Sequence, residues 1–229
     1  TDFKITMKEV SHCISKLRHS KSPDLQCIIN EMLKYSQHHM LPFLTKIFND
    51  ILCLGYYPQL WKEGYLVPIH KAGPTDDPSN YRGISIMSNV GKLFNSVLEQ
   101  RLSTFLYKND LINECQIGFK KKSRTSDHMF ILKTLLEKQF NHGEKLYACF
   151  VDFRKAFDSI NHLKLIYKLR QTDIGSLLYK TIKDLYLNTD NNLQIKVGNK
   201  LSSKFPVNQG VRQGDPLSPL LFNFYINEI

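Results

Sequence analysis

Apolar residues recur at helical spacing through most of this chain, and only a few short stretches break that rhythm. Thr6 and Glu9 stand three apart, ahead of Val10, Ile14 and Leu17. That is the spacing of a capping box opening an amphipathic helix. Ser22-Pro23-Asp24 ends the pattern. Two more apolar-periodic segments follow, the second carrying Phe43, Ile47 and Ile51 and closing at Gly55, with Pro58 beyond it. Residues 1–62 therefore read as a helical unit.

Downstream, YLVPIHK (65–71) is a short strand-like run, and AGPTDDPSNYRG reads as a turn-rich loop. Ser88 is placed to cap a helix with Val90, Leu93, Phe94, Val97, Leu98 and Leu102 on one face. QIGFKKKSRTSDH returns to loop, and Met129, Leu132, Leu136 and Phe140 predict the next helix. LYACFV (146–151) is apolar without alternation, the pattern of a strand buried on both faces. A helix with Leu163, Ile166 and Leu169 comes after it. LQIKV-GN-KLSSKFPV then alternates on both arms around Gly198-Asn199, which suits a type II′ hairpin turn. Ser218 as N-cap and Pro219 at the first helical position open a last helix through Leu221, Phe224 and Tyr225. The set predicts an α+β fold, with helices packed on a small, mainly antiparallel sheet.

Composition narrows the function more than the fold. With 42% hydrophobic and 23% charged residues among 229, the chain is of globular rather than disordered type. Its 31 basic and 21 acidic side chains leave a net charge of +10, which favours a polyanionic partner through counterion release. The five cysteines form no C-x-x-C pair, so they read as reduced and mostly packed, in an intracellular protein without a zinc site. No apolar run is long enough to span a membrane. Thr1 and the apolar stretch YINEI at the other end both look like cut ends.

Two stretches can carry chemistry. In ACFVDFRKAFDSINH (148–162), Asp152 ends the predicted strand, where a carboxylate needs a cation or donor. With the Phe153 carbonyl it could supply part of an octahedral Mg²⁺ shell. Capping a turn, or pairing with Arg154 or Lys155, is the alternative. Asp158 reads as a helix cap, and Phe157 would flank whatever binds at Asp152. In GVRQGDPLSP (210–219), two glycines let the backbone approach a ligand closely, and the helix beyond turns its free N–H groups back toward the loop. Gln213 offers an amide donor and acceptor together. Among the basic residues, Arg82, with Lys71, brackets the PTDDPSN turn and suits phosphate oxygens, whereas Lys120, Lys121, Lys122 and Arg124 suit a nucleic-acid-facing surface.

Taken in order, WKEGYLVPIHKAG, DPSNYRGISIMSNVGKLFNSVLEQRL, ECQIGFKKKSRTSDH, ACFVDFRKAFDSINH and GVRQGDPLSPLLFNFYINEI resemble the reverse transcriptase domain of non-LTR (LINE-type) retrotransposons. The segment KSPDLQCIINEML departs from the family's usual Gly-containing loop. The resemblance implies a right-hand polymerase with an N-terminal extension at 1–62, fingers at 63–142 and a partial palm at 143–229. It implies Asp152 as a catalytic metal ligand with the Phe153 main-chain carbonyl, and Phe157 as a steric gate against the ribose 2′-hydroxyl. It assigns Lys71 and Arg82 to the triphosphate, and Gln213 and Gly214 to the nucleotide pocket. Arg212, Lys120, Lys121, Lys122 and Arg124 fall to the template and primer. Mg²⁺ (or Mn²⁺), an RNA template, a DNA primer, dNTPs and a nuclear location are implied with them. The chemistry would be two-metal phosphoryl transfer. The family's Tyr/Phe-Ala-Asp-Asp stretch does not occur in these 229 residues, so the expectation is a domain inactive alone. A non-catalytic nucleic-acid-binding remnant is the alternative.

Overall fold

The computed structural model describes residues 2–120, 123–187 and 192–228. Thr6 opens the first helix, α1 (Met7–Ser15), with the reciprocal cap its spacing predicts. The Thr6 hydroxyl accepts from the Glu9 N–H at 3.3 Å, and the Glu9 carboxylate accepts from the Thr6 N–H at 2.8 Å. The same carboxylate takes two bonds from Arg101, at 2.7 and 3.0 Å. Burial alone would raise the Glu9 pKa, but the bonds from Arg101 and Thr6 bring it below the ordinary carboxylate value. α2 (Asn30–Tyr35) and α3 (Gln37–Leu54) follow, and α3 stops at Gly55, whose φ of +63° is the left-handed cap that glycine adopts without strain.

The chain continues through α4 (Gln59–Lys62), β1 (Gly64–His70), β2 (Tyr81–Met87) and α5 (Asn89–Lys108). Next come α6 (Thr125–Asn141), α7 (His162–Arg170) and α8 (Ser176–Leu187). β3 (Asn192–Val197), β4 (Lys200–Leu201), β5 (Phe205–Pro206) and α9 (Ser218–Tyr225) complete the described elements. The Ser88 hydroxyl caps α5 through the Gly91 N–H at 3.3 Å. Leu93, Phe94, Val97, Leu98, Leu102 and Leu106 form its buried face. Around Phe94, the rings of Phe48, Tyr57 and Trp61 lie 5.0 to 6.0 Å away. Full burial of one such ring contributes about 1.5–3 kcal/mol. Helices α1, α2, α3, α5, α7, α8 and α9 share this core.

Beside the helical core the strands run in the order β2-β1-β3-β4, with β5 also on β3. β1 pairs antiparallel with β2, from Gly64 opposite Met87 to His70 opposite Tyr81. It pairs parallel with β3, and β4 and β5 pair antiparallel with β3. The fold is thus mixed helix and sheet, as the sequence predicts, with one parallel seam in the sheet.

Several expectations need correction. LYACFV is not a strand: residues 146–151 join no ladder among the described residues and are exposed, Tyr147 by 86% and Phe150 by 83%. An apolar run becomes a strand only when partners supply its hydrogen bonds, and β1 gives its free edge to β3 instead. α6 forms but buries none of its residues. On α3, Phe43 and Ile47 face outward while Leu44, Phe48 and Leu52 turn inward. β2 lies partly in the predicted loop, because antiparallel pairing with β1 overrides its turn-like composition. α9 begins one residue early, with Leu217 as N-cap. Only Cys13 is buried; the other four cysteines are exposed, and all five are free thiols.

Candidate active site

The β1–β2 hairpin sets one wall of the site. Its register pairs Ile69 with Arg82, and the Lys71 N–H donates to the Asn80 carbonyl at 2.8 Å. Lys71 and Arg82 therefore leave the same end of the ladder, both exposed. The turn between them is stitched by its own side chains. Asp77 accepts from the Ser79 N–H at 2.8 Å, and the Tyr81 hydroxyl donates to the Thr75 carbonyl at 2.8 Å.

Opposite stands the glycine-rich loop 210–217. The Ser85 N–H of β2 donates to the Gln213 carbonyl at 2.9 Å, joining this loop to the hairpin. The Gly210 N–H donates to the Ile160 carbonyl at 2.7 Å and the Val211 N–H to the Phe157 carbonyl at 2.8 Å. Gly210 has φ +88°, and a Cβ there would lie 3.0 Å from the Asp158 backbone, so glycine is required twice over. Gly214, at φ +107°, passes close to the Ser85 carbonyl. His162 Nε2 lies 2.7 Å from the Gly210 carbonyl and so carries the proton there. Burial holds the pKa of its ring below the ordinary 6.5.

Beneath the loop is a buried polar network. Asp215, 5% exposed, accepts from the Leu217 N–H at 2.8 Å and from Asn95 Nδ2 at 2.6 Å, and Asn95 in turn accepts from the Tyr57 hydroxyl at 3.0 Å. Arg212, 6% exposed, donates to the Lys62 carbonyl at 2.8 Å and faces Asp215 electrostatically. Burial pushes the Asp215 pKa up and that of Arg212 down, each against the pull of the other. Burial also raises the Tyr57 and Tyr186 hydroxyls, which stay protonated. Lys62, fully buried, adds a bond to Asp184 at 2.7 Å.

Between the walls lies a cleft of about 800 Å³. Lys71, Arg82, Asp152, Phe153, Phe157, Gln213 and Gly214 all line it, although they are separated by up to 143 positions in the chain (214 − 71). Gln213 Nε2 donates to Asp158 at 3.2 Å, so Asp158 braces the loop. The expected helix cap is Asn161 instead, which accepts from the Lys164 N–H at 3.0 Å. Phe157 stacks on Phe222 with centroids 4.9 Å apart. Arg154 and Lys155 also reach the cleft, giving it four exposed cationic side chains beside Asp152. That balance suits a polyphosphate carrying its own cation.

Asp152 itself is exposed, with Phe153 beside it in the cleft lining. Oxygen donors of this kind fit Mg²⁺ or Mn²⁺, which take few protein ligands and complete their shell with water and phosphate. Among the described residues no group of three or more His, Cys, Asp or Glu side chains is arranged to hold a metal ion.

Other basic residues are placed elsewhere. Arg212 lines the cleft from below, its guanidinium committed to the interior rather than to the surface where a nucleic acid would lie. Lys120 borders a neighbouring cavity of about 370 Å³, its ammonium 5.7 Å from the Tyr107 ring centroid. Arg124 is exposed at the start of α6. Lys121 and Lys122 lie outside the described residues. The sequence reading missed Asp215 and Phe119 as parts of the site. The QGDP run and the GFK run do contain them, but neither shows which side chain turns inward.

Comparison with known proteins identifies the family. A profile of the family "Reverse transcriptase (RNA-dependent DNA polymerase)" matches residues 69–229. The RNA-directed DNA polymerase from mobile element jockey of Drosophila melanogaster is 28% identical over 98% of this chain and 24% of its own length. A probable RNA-directed DNA polymerase from transposon BS of the same organism is 29% identical over 98% of this chain and 25% of its own length. A Pol polyprotein from the type-1 retrotransposable element R2 of Nasonia vitripennis is 29% identical over 81% of the chain and 18% of its own length. The chain thus spans about a quarter of the jockey and BS proteins. No described helix is long and apolar enough to cross a membrane. With 161 of its 229 residues inside the family profile (229 − 69 + 1), the chain belongs to the reverse transcriptase family, in the branch of non-LTR retrotransposons.

Proposed function

We propose that this domain binds the incoming deoxynucleotide of an RNA-directed DNA polymerase, with residues 63–142 acting as fingers, 143–229 as part of the palm and 1–62 as an N-terminal extension. One observation carries the reading: Lys71, Arg82, Asp152, Phe157, Gln213 and Gly214 converge on a single cleft. Arg82, with its planar fork, and Lys71, as a point charge, take triphosphate oxygens. Gln213 and the bare backbone of Gly214 line the space for sugar and base. Phe157 presents a ring where a 2′-hydroxyl would project, so the nucleotide is accepted in its deoxy form.

Asp152 and the Phe153 carbonyl would hold Mg²⁺ (or Mn²⁺), which when bound supplies charge neutralisation for phosphoryl transfer. In a two-metal scheme Asp152 is one carboxylate of a set, so purified residues 1–229 are expected not to extend a primer. An RNA template and DNA primer are the partners in the whole protein.

The test is binding of γ-phosphate-labelled dATP to the chain, followed by fluorescence anisotropy. The expected result is Mg²⁺-dependent binding, lost in Arg82→Ala and in Asp152→Asn. Salt-sensitive binding of an RNA–DNA hybrid, indifferent to Mg²⁺ and to Asp152→Asn, with no nucleotide binding, would replace this reading by that of a non-catalytic nucleic-acid binder.

A further inference from the structure

Phe157 does not stand alone in the cleft. Its ring lies nearly parallel to Phe222 of α9, with centroids 4.9 Å apart and planes at 15°. Phe119 meets it from another side, with centroids at 5.8 Å and planes at 88°. Offset-stacked and perpendicular contacts are the two favoured aromatic geometries, and together they restrict how a ring tilts. The backbone is pinned as well, since the Phe157 carbonyl accepts from the Val211 N–H at 2.8 Å.

The two supporting rings differ in kind. Phe222 is 8% exposed and belongs to the core. Phe119 is 65% exposed and sits at φ +57°, a backbone conformation that bulky L-residues avoid. A residue needed only to fill space would not be held outward in a strained turn. The strain is sustained by Asn223, whose Nδ2 donates to the Gly118 carbonyl. Consecutive residues of α9 therefore hold both sides: Phe222 stacks on the ring, and Asn223 fixes the loop that brings Phe119 against it.

We infer that Phe119 and Phe222 are positioning residues that clamp the Phe157 ring at the angle that separates deoxynucleotides from ribonucleotides. The inference rests on the reading of Phe157 as the sugar gate. It predicts that the ratio of ribonucleotide to deoxynucleotide affinity depends on Phe119, at the edge of the cleft, and on Phe222, which does not line it.

The experiment measures dissociation constants of the chain for γ-phosphate-labelled dATP and ATP in Mg²⁺, taking the ratio of ATP to dATP as the readout. A ring left free to tilt discriminates less whatever the stability of the fold, so the ratio reports the clamp and not folding. Wild type is expected to prefer dATP, and Phe157→Ala to abolish the preference. Phe119→Ala is expected to lower the ratio roughly two- to tenfold, the range of one aromatic pair. Phe222→Leu keeps the core filled and is expected to do the same, while Phe119→Tyr retains the wild-type ratio. If Phe157→Ala loses selectivity but Phe119→Ala and Phe222→Leu keep it, the clamp is overturned and the gate stands. If wild type does not bind dATP, or binds ATP equally well, the reading of the cleft fails and the clamp with it.

Discussion

Residues 210–217 and residues 144–155 reach the same cleft, through 212–215 and 152–155, but the chain holds them by different means. The first stretch is bonded to β2, to the Phe157–Ile160 turn and to His162, and it rests on Asp215, Asn95, Arg212 and Tyr57 below the surface. The second carries Asp152 on a backbone outside the sheet, with Tyr147, Phe150 and Val151 exposed by 86%, 83% and 73%. One side of the site is preorganised by burial. Among the described residues the other is tied at its start by the Glu144 N–H donating to the Gln139 carbonyl at 3.0 Å, and its end meets the core near Ala156, Phe157 and Ile160. The lesson is that the glycine-rich loop and the segment carrying Asp152 are stabilised by different contacts, so each can be perturbed with little effect on the other.

Removing Asp215 tests the rigid half most severely. Asp215→Ala strips the buried Leu217 N–H and Asn95 amide of their acceptor and removes the charge that faces Arg212, and is expected to lose about 2–5 kcal/mol in urea unfolding. A loss below about 1 kcal/mol, the size of an ordinary substitution, would mean that the network does not hold the loop.

Gly210→Ala attacks the same half through its backbone. At φ +88°, with Asp158 atoms 3.0 Å from the new Cβ, it is expected to lower stability by about 1–3 kcal/mol. Gly198→Ala in the hairpin turn is the control: its φ is +59°, but nothing lies within 4 Å, so the conformational part appears without the clash.

pH gives a gentler test. The folded pKa of His162 lies below its unfolded value of 6.5, because burial disfavours the imidazolium. Between those two values the unfolded state binds more protons, so stability is full above about pH 6.5 and falls as the pH drops toward the folded pKa. His162→Gln should remove that part of the slope in unfolding curves collected across the window. A slope unchanged by the substitution would place the titration elsewhere.

The smallest stability effect belongs to the exposed half. Asp152→Asn is expected to change unfolding by no more than about 0.5 kcal/mol, as for other exposed substitutions, while removing Mg²⁺-dependent nucleotide binding. A large destabilisation would show that Asp152 is built into the rigid half after all. Hydrogen exchange sharpens the contrast further. The amides of 146–151 should exchange rapidly, and those of Ser85, Gly210 and Val211, bonded to carbonyls at 2.7 to 2.9 Å, should be protected.

Local patterns were legible wherever a segment's neighbours agreed with its own preference. The Thr6–Glu9 box, the Ser88 cap, the Gly55 stop and the Gly198 turn all depend on groups within a few residues, and each formed as written. LYACFV failed for the opposite reason. Its composition describes a buried strand, but burial is a property of partners, and β1 pairs with β3. Arg212 shows a related limit at the site: the resemblance assigns it to template and primer, whereas the structure buries it, with a bond to the Lys62 carbonyl and Asp215 facing it.

The sequence by itself determined which residues carry the charges, amides and bare backbone of a candidate site and where most helices begin and end, because capping and periodicity act over a few residues. Only the tertiary structure decided that Lys71, Arg82, Asp152, Phe157 and Gln213 share one cleft, and that Asp215 lies beneath it while Asp152 stands open. Those outcomes depend on contacts between residues far apart in the chain. Burial and pairing energies arise only when such segments meet, so no local pattern encodes them.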